Sequence, residues 1–532
     1  MRTMVCASRL GSCLAPSHRH APTPPRSGRL AARARVSRVA ATTRETTTIA
    51  ERAAAGALEG SGPFPLLDPT KGYSHVSPGV CDACADDVEA RRAWVRVPPP
   101  APRPIISAPS RSLIPNQISP TPASARGHPP RPRRRPTSSS FPSPPQVALL
   151  LGQLPSHRAN AERTLAFLGD AAGDDFLPRY RAWEADYEAY LASVSEDDAA
   201  PGQGATLLDM VDEKERLLRA RGLDDLFAGM KAEENAVAAA IFPALVDELD
   251  DAWEPEPGAA NIFPDPPAAK AEMLRTVLEC CLAGNLFDAG AAAAVRAVAD
   301  ASDASDASAV PPDAASLAEV FERSRARVAR SAAAAGRWRY DSLDELIARA
   351  TTTPWRRAII FCDNAGADAM GMVLLARALA GLGGAGTKVA LAANDTAALN
   401  DVTAVELEAF VETVTARGGE YRDGDALLGA MREGNMVTVV PSGQISTLLD
   451  LNRTGPELNA WMEKQLEEVP AGEDWLVVLD GMGRSLESNW DVSKYVREGV
   501  QTLNLAMIKS QINAERLDAE VYDCVVRLGR GA

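Results

Sequence analysis

The sequence predicts an α/β protein, with an open, mostly parallel sheet flanked by helices and an N-terminal helical lobe before it. Two patterns predict this fold class. After Trp355, short apolar runs alternate with amphipathic segments, as in the βα units that build parallel sheets. From about residue 147 to 249, apolar residues recur every three or four positions, the period of a helix that buries one face. We therefore assign residues 147–350 to the helical lobe and residues 351–532 to the α/β domain.

Six apolar runs in the α/β domain are predicted strands. They lie at 358–362, 388–393, 436–440, 475–479, 503–508 and 521–526. Helices are predicted at 366–382, 402–415, 456–466 and 514–517, and within the lobe at 236–249, 268–282 and 288–299. Because strands and helices alternate, the sheet is expected to be Rossmann-like.

Residues 1–60 are predicted to be disordered. The first 50 contain nine Arg, no Lys and a single acid, Glu45. This composition is typical of an organelle transit peptide and predicts import into a chloroplast or mitochondrion. The alternatives are a disordered basic tail on a cytoplasmic protein and a wrongly assigned start codon.

Residues 62–97 are predicted to begin the ordered region, and residues 98–146 to interrupt it. The interrupting segment contains 16 Pro, seven Arg and neither Asp nor Glu, so it cannot bury enough apolar surface to offset chain entropy. We predict a disordered Pro/Arg-rich insertion. Cys81 and Cys84 form a CxxC without a second pair or a nearby His, which favours an incidental loop pair over a metal or redox site.

Composition excludes several classes of function. The net charge of −15 argues against a nucleic-acid partner, because phosphate backbones are bound by clustered Lys and Arg. No apolar run reaches the roughly 18 to 20 residues that a membrane-spanning helix needs. All five His precede residue 158, so residues 158–532 cannot supply a Ser-His-Asp triad, a His base or a His-ligated zinc. Oxygen ligands and a hard cation are therefore expected.

Polar or glycine-rich groups follow five of the predicted strands, where open α/β sheets bind ligands. In chain order these groups are Asp363 with Asn364, then Asp401, then Ser442, then Asp480, Gly481, Met482, Gly483 and Arg484, and finally Lys509. Oxygens of Asp363, Asn364 and Asp401 would give one ion three ligands and leave positions for water and a phosphate oxygen. Such a site suits Mg²⁺ or Mn²⁺.

Each of these groups also has a simpler interpretation. Asp and Asn are frequent helix N-caps, a single GxG is often a tight turn, and Lys509 could be a surface lysine whose alkyl chain packs on the strand. The convergence of five strand ends favours a site instead. Backbone N–H groups after Asp480, with Arg484 and Lys509, are expected to bind an anion.

Nine short stretches match the motifs of a known family in order. They are PFPLL from Pro63, LDDLFAGMKAEENAVAAAIFP from Leu223, CLAGNLFDAG from Cys281, IIFCDNAGAD from Ile359, LAANDTAALNDVT from Leu391, SGQISTLLDLNRT from Ser442, DGMGRSLESN from Asp480, MIKS from Met507 and VYDCVV from Val521. In this order they resemble the damage-control phosphatase family, once called domain of unknown function 89. The similar branch comprises stand-alone plant proteins and the phosphatase domain fused to pantothenate kinases. The resemblance runs from about residue 62 to the end, apart from the insertion.

The resemblance implies a metal-dependent phosphoric monoester hydrolase that acts on small phosphate esters. The branch is associated with 4′-phosphopantetheine and its damaged, oxidised forms, and its relatives with sugar phosphates. Mn²⁺, Mg²⁺, Co²⁺ or Ni²⁺ would be held by Asp363, Asn364 and Asp401, with substrate contacts from residues 480–484 and from Lys509. Residues 62–97 would then begin the phosphatase region, and residues 351–532 would form its metal-binding part.

In the predicted mechanism, the ion binds a phosphate oxygen and orients the attacking water. Asp363 and Lys509 have catalytic roles, and direct attack by Asp363 to form an aspartyl-phosphate stays open. Further substrate contacts are predicted from Ser442 and, in the helical lobe, from Glu234, Asn235, Asn285 and Asp288.

Two other functions are alternatives to the phosphatase. The first is a catalytically inactive module that binds a phosphorylated metabolite or a partner protein. The second, a nucleotide-binding transferase, is disfavoured because neither GxGxxG nor GxxxxGK[ST] follows the first predicted strand.

Overall fold

The computed structural model describes residues 62–71, 73, 145–196, 207–251, 267–286, 314–335, 338–382, 387–416 and 436–532. All of them belong to one compact unit that spans residues 56–532. Residues 1–60 and nearly all of the Pro/Arg-rich segment lie outside the described residues, as do Cys81, Cys84, Asp288 and the helix predicted at 288–299. Within the described part of the chain, no helix has both the length and the apolar character needed to cross a membrane.

The described residues form one seven-stranded sheet. Its strands are β1 (Tyr340–Asp341), β2 (Arg357–Phe361), β3 (Lys388–Ala393), β4 (Val437–Pro441), β5 (Trp475–Asp480), β6 (Gln501–Met507) and β7 (Cys524–Arg530). The order across the sheet is β1-β7-β6-β5-β2-β3-β4. All neighbouring strands are parallel except β6 and β7, which are antiparallel. The predicted mostly parallel α/β sheet is confirmed.

The strand order reverses between β2 and β5. From β2 the chain adds β3 and β4 toward one edge, and from β5 it adds β6 and β7 toward the other. Phe361, the last residue of β2, pairs with Leu479 of β5. Open α/β sheets bind ligands in the crevice that such a reversal opens at the carboxyl ends of the strands. Asp363 and Asp480 therefore both lie at this crevice.

Helices surround the sheet and form the predicted lobe. Those that precede β2 are α1 (Pro145–Leu168), α2 (Phe176–Glu196), α3 (Leu207–Ala220), α4 (Ala228–Asp251), α5 (Pro267–Gly284), α6 (Ala314–Ala335) and α7 (Leu343–Thr352). Those that follow β2 are α8 (Ala367–Leu382), α9 (Ala404–Ala416), α10 (Pro456–Glu468) and α11 (Gln511–Arg516). The helical lobe is confirmed over its described residues, although β1 lies within its predicted range and joins the sheet.

The two central strands are buried on both faces. All five residues of β2 and all six of β5 are buried. Ala358 and Ile360 pack in one core with helices α4 to α9, whereas Ile359 and Phe361 pack in a second core with α10 and the segment 62–67. Each fully buried aliphatic side chain contributes roughly 1.5–3 kcal/mol, so continuous apolar strands are expected where helices cover both faces.

The segment 62–73 lies on the second face of the sheet. Phe64 packs edge to face on Phe361, with ring centroids 5.5 Å apart, and its N–H donates to the Leu451 carbonyl at 2.8 Å. Lys71 donates from Nζ to the Val496 carbonyl at 2.8 Å. The PFPLL motif therefore covers β2 from the side opposite the helical lobe.

The last two strands differ most from their predicted bounds. β6 begins at Gln501 rather than 503, because its early polar residues find buried partners: Gln501 Oε1, for example, accepts from the indole of Trp355 at 2.7 Å. β7 begins at Cys524 rather than 521, after a turn in which Tyr522 has a φ of 74°. Its antiparallel pairing with β6 then continues to Arg530.

Candidate active site

The loops that follow β2 and β3 lie side by side. Val402 donates its N–H to the Asp363 carbonyl at 2.9 Å, and Ala365 donates to the Asn400 carbonyl at 2.9 Å. Asn364 and Asp401 form a β-bridge between the same loops. Asp363 and Asp401 are both buried. The structure therefore brings together the three residues predicted to hold a metal.

Helix α4 anchors the turn after Asp363. Gly366 has a φ of 73°, a conformation that favours glycine, and a Cβ at this position would come 2.7 Å from Glu234 Cβ. Its N–H donates to Asn235 Oδ1 at 2.7 Å. Glu234 and Asn235, which were predicted as substrate contacts, hold the Gly366 turn in place.

Asp480 ends β5, and the chain then turns back over the strand ends. Gly481 has a φ of 80°, and any Cβ there would overlap the Asp363 carboxylate. A π-helical turn follows at Met482–Glu487, a rare geometry that is frequent at functional sites. The Gly481 N–H donates to the Leu505 carbonyl at 3.0 Å, and this hydrogen bond supports the turn.

The π-helical turn places Arg484 between the two acidic loops. Its Nη1 forms an ion pair with Asp363, and its Nη2 lies 2.8 Å from Asp401 Oδ2 and 3.0 Å from Asn394 Oδ1. Asn394 in turn donates to Asp401 Oδ2 at 3.0 Å. Burial lowers the pKa of Arg484, but Asp401 and Asp363 more than offset it and the net pKa is raised. A permanent positive charge therefore joins the two carboxylates.

A network of hydrogen bonds connects Asp363 to other buried polar side chains. Asn364 donates from Nδ2 to Asp363 Oδ2 at 2.9 Å and to Asp368 Oδ2 at 3.0 Å. Asn285 donates from Nδ2 to Asp368 Oδ1 at 2.6 Å and to Asp480 Oδ1 at 3.0 Å. Asn285, predicted as a substrate contact, thus joins the end of α5 to this network. Asp368 was not predicted, because an acid in the first turn of a helix is an ordinary feature.

Asp480, like Asp368, has no exposed surface. Its Oδ2 has no hydrogen-bond donor among the described residues. Burial raises the pKa of Asp480 well above its ordinary value, and the carboxylates of Asp368 and Asp363 raise it further. A carboxylate in this setting is stabilised by a nearby cation or by a proton.

The side-chain atoms that could bind a metal ion here are all oxygens, which suits a hard divalent cation. They come from the carboxylates of Asp363 and Asp401 and from the side-chain amides of Asn364 and Asn394. Over the described ranges, no group of three or more His, Cys, Asp or Glu is arranged to hold a metal ion. The predicted trio contains only two acids, Asp363 and Asp401, and its third ligand is the Asn364 amide.

Lys509 and Ser442 lie at different distances from this centre. Lys509 follows β6, and its Nζ donates to the Asn285 carbonyl at 2.6 Å. The side chain of the same Asn285 donates to Asp480. Ser442 is buried, and its Oγ accepts the Gln444 N–H at 3.2 Å within the turn after β4. Lys509 therefore borders the acidic network, whereas the Ser442 side chain shapes its own turn.

One further residue of the helical lobe touches the Asp401 loop. Lys231 on α4 is fully buried and forms ion pairs with Asp225 at 2.8 Å and Glu406 at 2.9 Å. Its Nζ lies 3.4 Å from the Asp401 carbonyl. Glu406 also accepts the Thr403 N–H at 2.9 Å, capping α9. The sequence hid this role, because a lysine among glutamates on a helix is typical of a solvated face.

The chain matches one known protein family and is similar to three individual proteins. The family model that matches is the damage-control phosphatase ARMT1-like domain, over residues 155–525. The chain is 30% identical to pantothenate kinase 2 of Oryza sativa subsp. japonica over 382 residues, which cover 68% of this chain and 36% of that protein. It is 28% identical to a damage-control phosphatase of Arabidopsis thaliana, covering 72% and 86%. It is 24% identical to the 4′-phosphopantetheine phosphatase of Mus musculus, covering 66% and 42%. The match thus spans little more than a third of the kinase.

Proposed function

Because the chain belongs to the damage-control phosphatase ARMT1-like family, we propose that it is a metal-dependent hydrolase of small phosphate monoesters. One observation supports this function above the others. The carboxylates of Asp363 and Asp401, from two neighbouring strand ends, converge on a single positive charge at the point where the strand order reverses. Carboxylate oxygens that can bind a divalent ion, next to a guanidinium that can bind phosphate oxygens, suit the chemistry of a phosphoryl group in such a crevice.

Asp363, Asn364 and Asp401 would hold the metal, a divalent ion of the class Mn²⁺, Mg²⁺, Co²⁺ or Ni²⁺. When bound, a divalent ion supplies positive charge to the phosphoryl group and lowers the pKa of a water. The chain's own residues do the rest. Asn364 fixes the orientation of the Asp363 carboxylate through its 2.9 Å hydrogen bond. Arg484 and Lys509 supply positive charge for the phosphate oxygens.

The proposed substrate is 4′-phosphopantetheine or one of its damaged forms. The mouse relative is named for that ester, and its match covers 66% of this chain. Sugar phosphates are the second substrate class to test. Both are small esters whose phosphate would reach the crevice between β2 and β5.

The test is turnover by the purified chain with Mn²⁺, on p-nitrophenyl phosphate, 4′-phosphopantetheine and a panel of sugar phosphates. We expect release of phosphate that stops when the metal is chelated. Asp363→Ala is expected to lower kcat at least about 100-fold, because a ligand and its charge are lost. Asp344→Ala, an exposed acid in the first turn of α7, is the matched control and should retain wild-type turnover. The proposal fails if the wild type releases phosphate from none of these esters.

A further inference from the structure

Arg219 reaches from the helical lobe to the carboxyl ends of two strands. It lies in the last turn of α3 and is partly buried. Its Nη1 is 3.4 Å from Thr396 Oγ1, and its Nη2 is 3.4 Å from the Ile445 carbonyl. Thr396 follows β3, and Ile445 follows β4. Both contacts are at the long limit for a hydrogen bond, so neither binds the guanidinium tightly.

The neighbouring arginines of the lobe are paired differently. Five of them form ion pairs with acids: Arg158 with Glu184, Arg163 with Glu233, Arg179 with Asp175, Arg216 with Glu213, and Arg221 with Asp186. In the part of the chain that the structure describes, no carboxylate oxygen lies within 4.0 Å of the Arg219 guanidinium. A partly buried guanidinium with only two weak acceptors retains donors for another group.

The two loops that Arg219 touches are those that border the candidate active site. Asn394, two residues before Thr396, contacts both Arg484 and Asp401. Its Nδ2 also donates to the carbonyl of Ser446, the residue after Ile445, at 3.0 Å. Arg219 thus contacts the same two loops that, through Asn394 and Ser446, border the acidic centre. A phosphate ester with its phosphate at that centre could extend its other end to Arg219.

One acid on the same face of α3 interacts with Arg219. Asp212 lies two turns earlier, near Ser446. Burial raises the pKa of Asp212, whereas the charges of Arg453 and Arg219 lower it. Asp212 and Arg219 therefore attract each other along α3.

We propose that Arg219 is a specificity-determining residue that binds an acceptor group of the substrate at the end remote from the phosphate. The group would be a carboxylate or a sulfonate, whose two oxygens match the two parallel N–H donors of a guanidinium, or an amide carbonyl, whose single oxygen accepts from the guanidinium less specifically. The inference rests on the proposed phosphatase function and adds the class of ester that the site prefers. Simple esters without such a group gain nothing from Arg219.

The experiment compares 4′-phosphopantothenate, 4′-phosphopantetheine and phenyl phosphate on wild type and Arg219→Met. The first ester carries a remote carboxylate, the second only amides and a thiol, and the third has no such acceptor. We expect KM for 4′-phosphopantothenate to rise about 10- to 100-fold, with a loss at least ten times larger than for phenyl phosphate. An effect on 4′-phosphopantetheine of similar size identifies the amides, rather than the carboxylate, as the group bound. Arg216, which is exposed and paired with Glu213, provides the matched control. Arg216→Met should change KM for none of the three esters.

Equal losses on all three esters, or no loss on any, would overturn the assignment of Arg219. If the wild type hydrolyses none of them, the inference is decided by binding alone, and the proposed function fails only if p-nitrophenyl phosphate and the sugar phosphates are not hydrolysed either. Calorimetric titration with 4′-phosphopantothenate then supports Arg219 if the wild type binds and Arg219→Met binds at least ten-fold more weakly. Equal binding by both proteins, or no binding by the wild type, overturns it.

Discussion

Lys231 and Arg484 are both fully buried cations that lie between two acids, but the acids are used differently. Around Lys231, Asp225 accepts the Phe227 N–H at 2.8 Å and Glu406 caps α9, so each acid also completes local backbone structure. Around Arg484, Asp363 and Asp401 stand at strand ends beside the reversal of strand order. A buried ion cluster by itself does not mark an active site. The place of the Arg484 cluster at the strand ends, beside the reversal of strand order, favours one.

The largest expected effect comes from removing the cation of the strand-end cluster. Arg484→Met leaves Asp363 and Asp401 buried without their partner, which is expected to cost about 3–5 kcal/mol of unfolding free energy. Activity should fall roughly 100- to 1,000-fold, because the phosphate loses a charged donor. Urea unfolding and phosphate release measure the two losses. Wild-type kcat in a folded Arg484→Met would contradict a role for this guanidinium in the reaction.

Lys231→Met tests the other side of the comparison. We expect a smaller loss of stability, about 1–3 kcal/mol, because Asp225 and Glu406 are partly exposed, at 20% and 27% of their side-chain surface, and keep some hydration when they lose their cation. The loss of kcat should be no more than about ten-fold, since Lys231 approaches Asp401 only through its carbonyl. Both are measured at a temperature where the variant is folded. A loss of kcat equal to that of Arg484→Met would mean that the two clusters act as one site.

Gly481→Ala sharpens the comparison by disturbing one acid and keeping every charge. A Cβ here overlaps the Asp363 carboxylate, and the φ of 80° disfavours alanine. We expect kcat to fall about 10- to 100-fold, because misplacing a reacting group by about 1 Å has an effect of that size. Gly472→Ala is the matched control, since a Cβ there meets no atom within 4 Å. Unchanged kcat in Gly481→Ala would show that the position of Asp363 is not critical.

The smallest effect concerns Asp395, a partly buried acid near the site that forms no ion pair with any described residue. Burial raises its pKa from 3.8 to about 6, although the Gly443 N–H lowers it. Since the folded pKa exceeds the unfolded one, ionisation destabilises the fold: stability rises as pH falls from about 6 toward 4. Asp395→Asn should therefore be about 1–2 kcal/mol more stable than wild type at pH 8, and this advantage should vanish below about pH 4. Urea unfolding across pH measures it, and a pH-independent difference would contradict it.

The sequence predicted the sheet well where strands are buried on both faces. β2, β3 and β5 lie within one residue of their predicted bounds, because a short apolar run bounded by turn residues is typical of a strand covered on both faces. β1 was missed, since two residues carry no pattern. β6 was shortened because its buried polar residues resemble a loop until their partners are known.

Proximity within the candidate site was predictable from one rule, that carboxyl ends of parallel strands share an edge. Asp363 and Asp401 follow from it. The pairing of Arg484 with both acids does not, because it depends on a π-helical turn that has no sequence signature. Lys231 was equally hidden, since its burial is set by Glu406, 175 residues later in the chain.

The covering of β2 by the segment 62–67 has a consequence for synthesis on the ribosome. Phe64 is made early, but the Leu451 carbonyl that accepts its N–H emerges almost 390 residues later. Until then one apolar face of β2, with Ile359 and Phe361, has no permanent cover. Contacts this distant in sequence form late and slowly, and the exposed strand is prone to aggregate meanwhile. We expect the nascent chain to depend on chaperones from the synthesis of β2 until Leu451 has emerged.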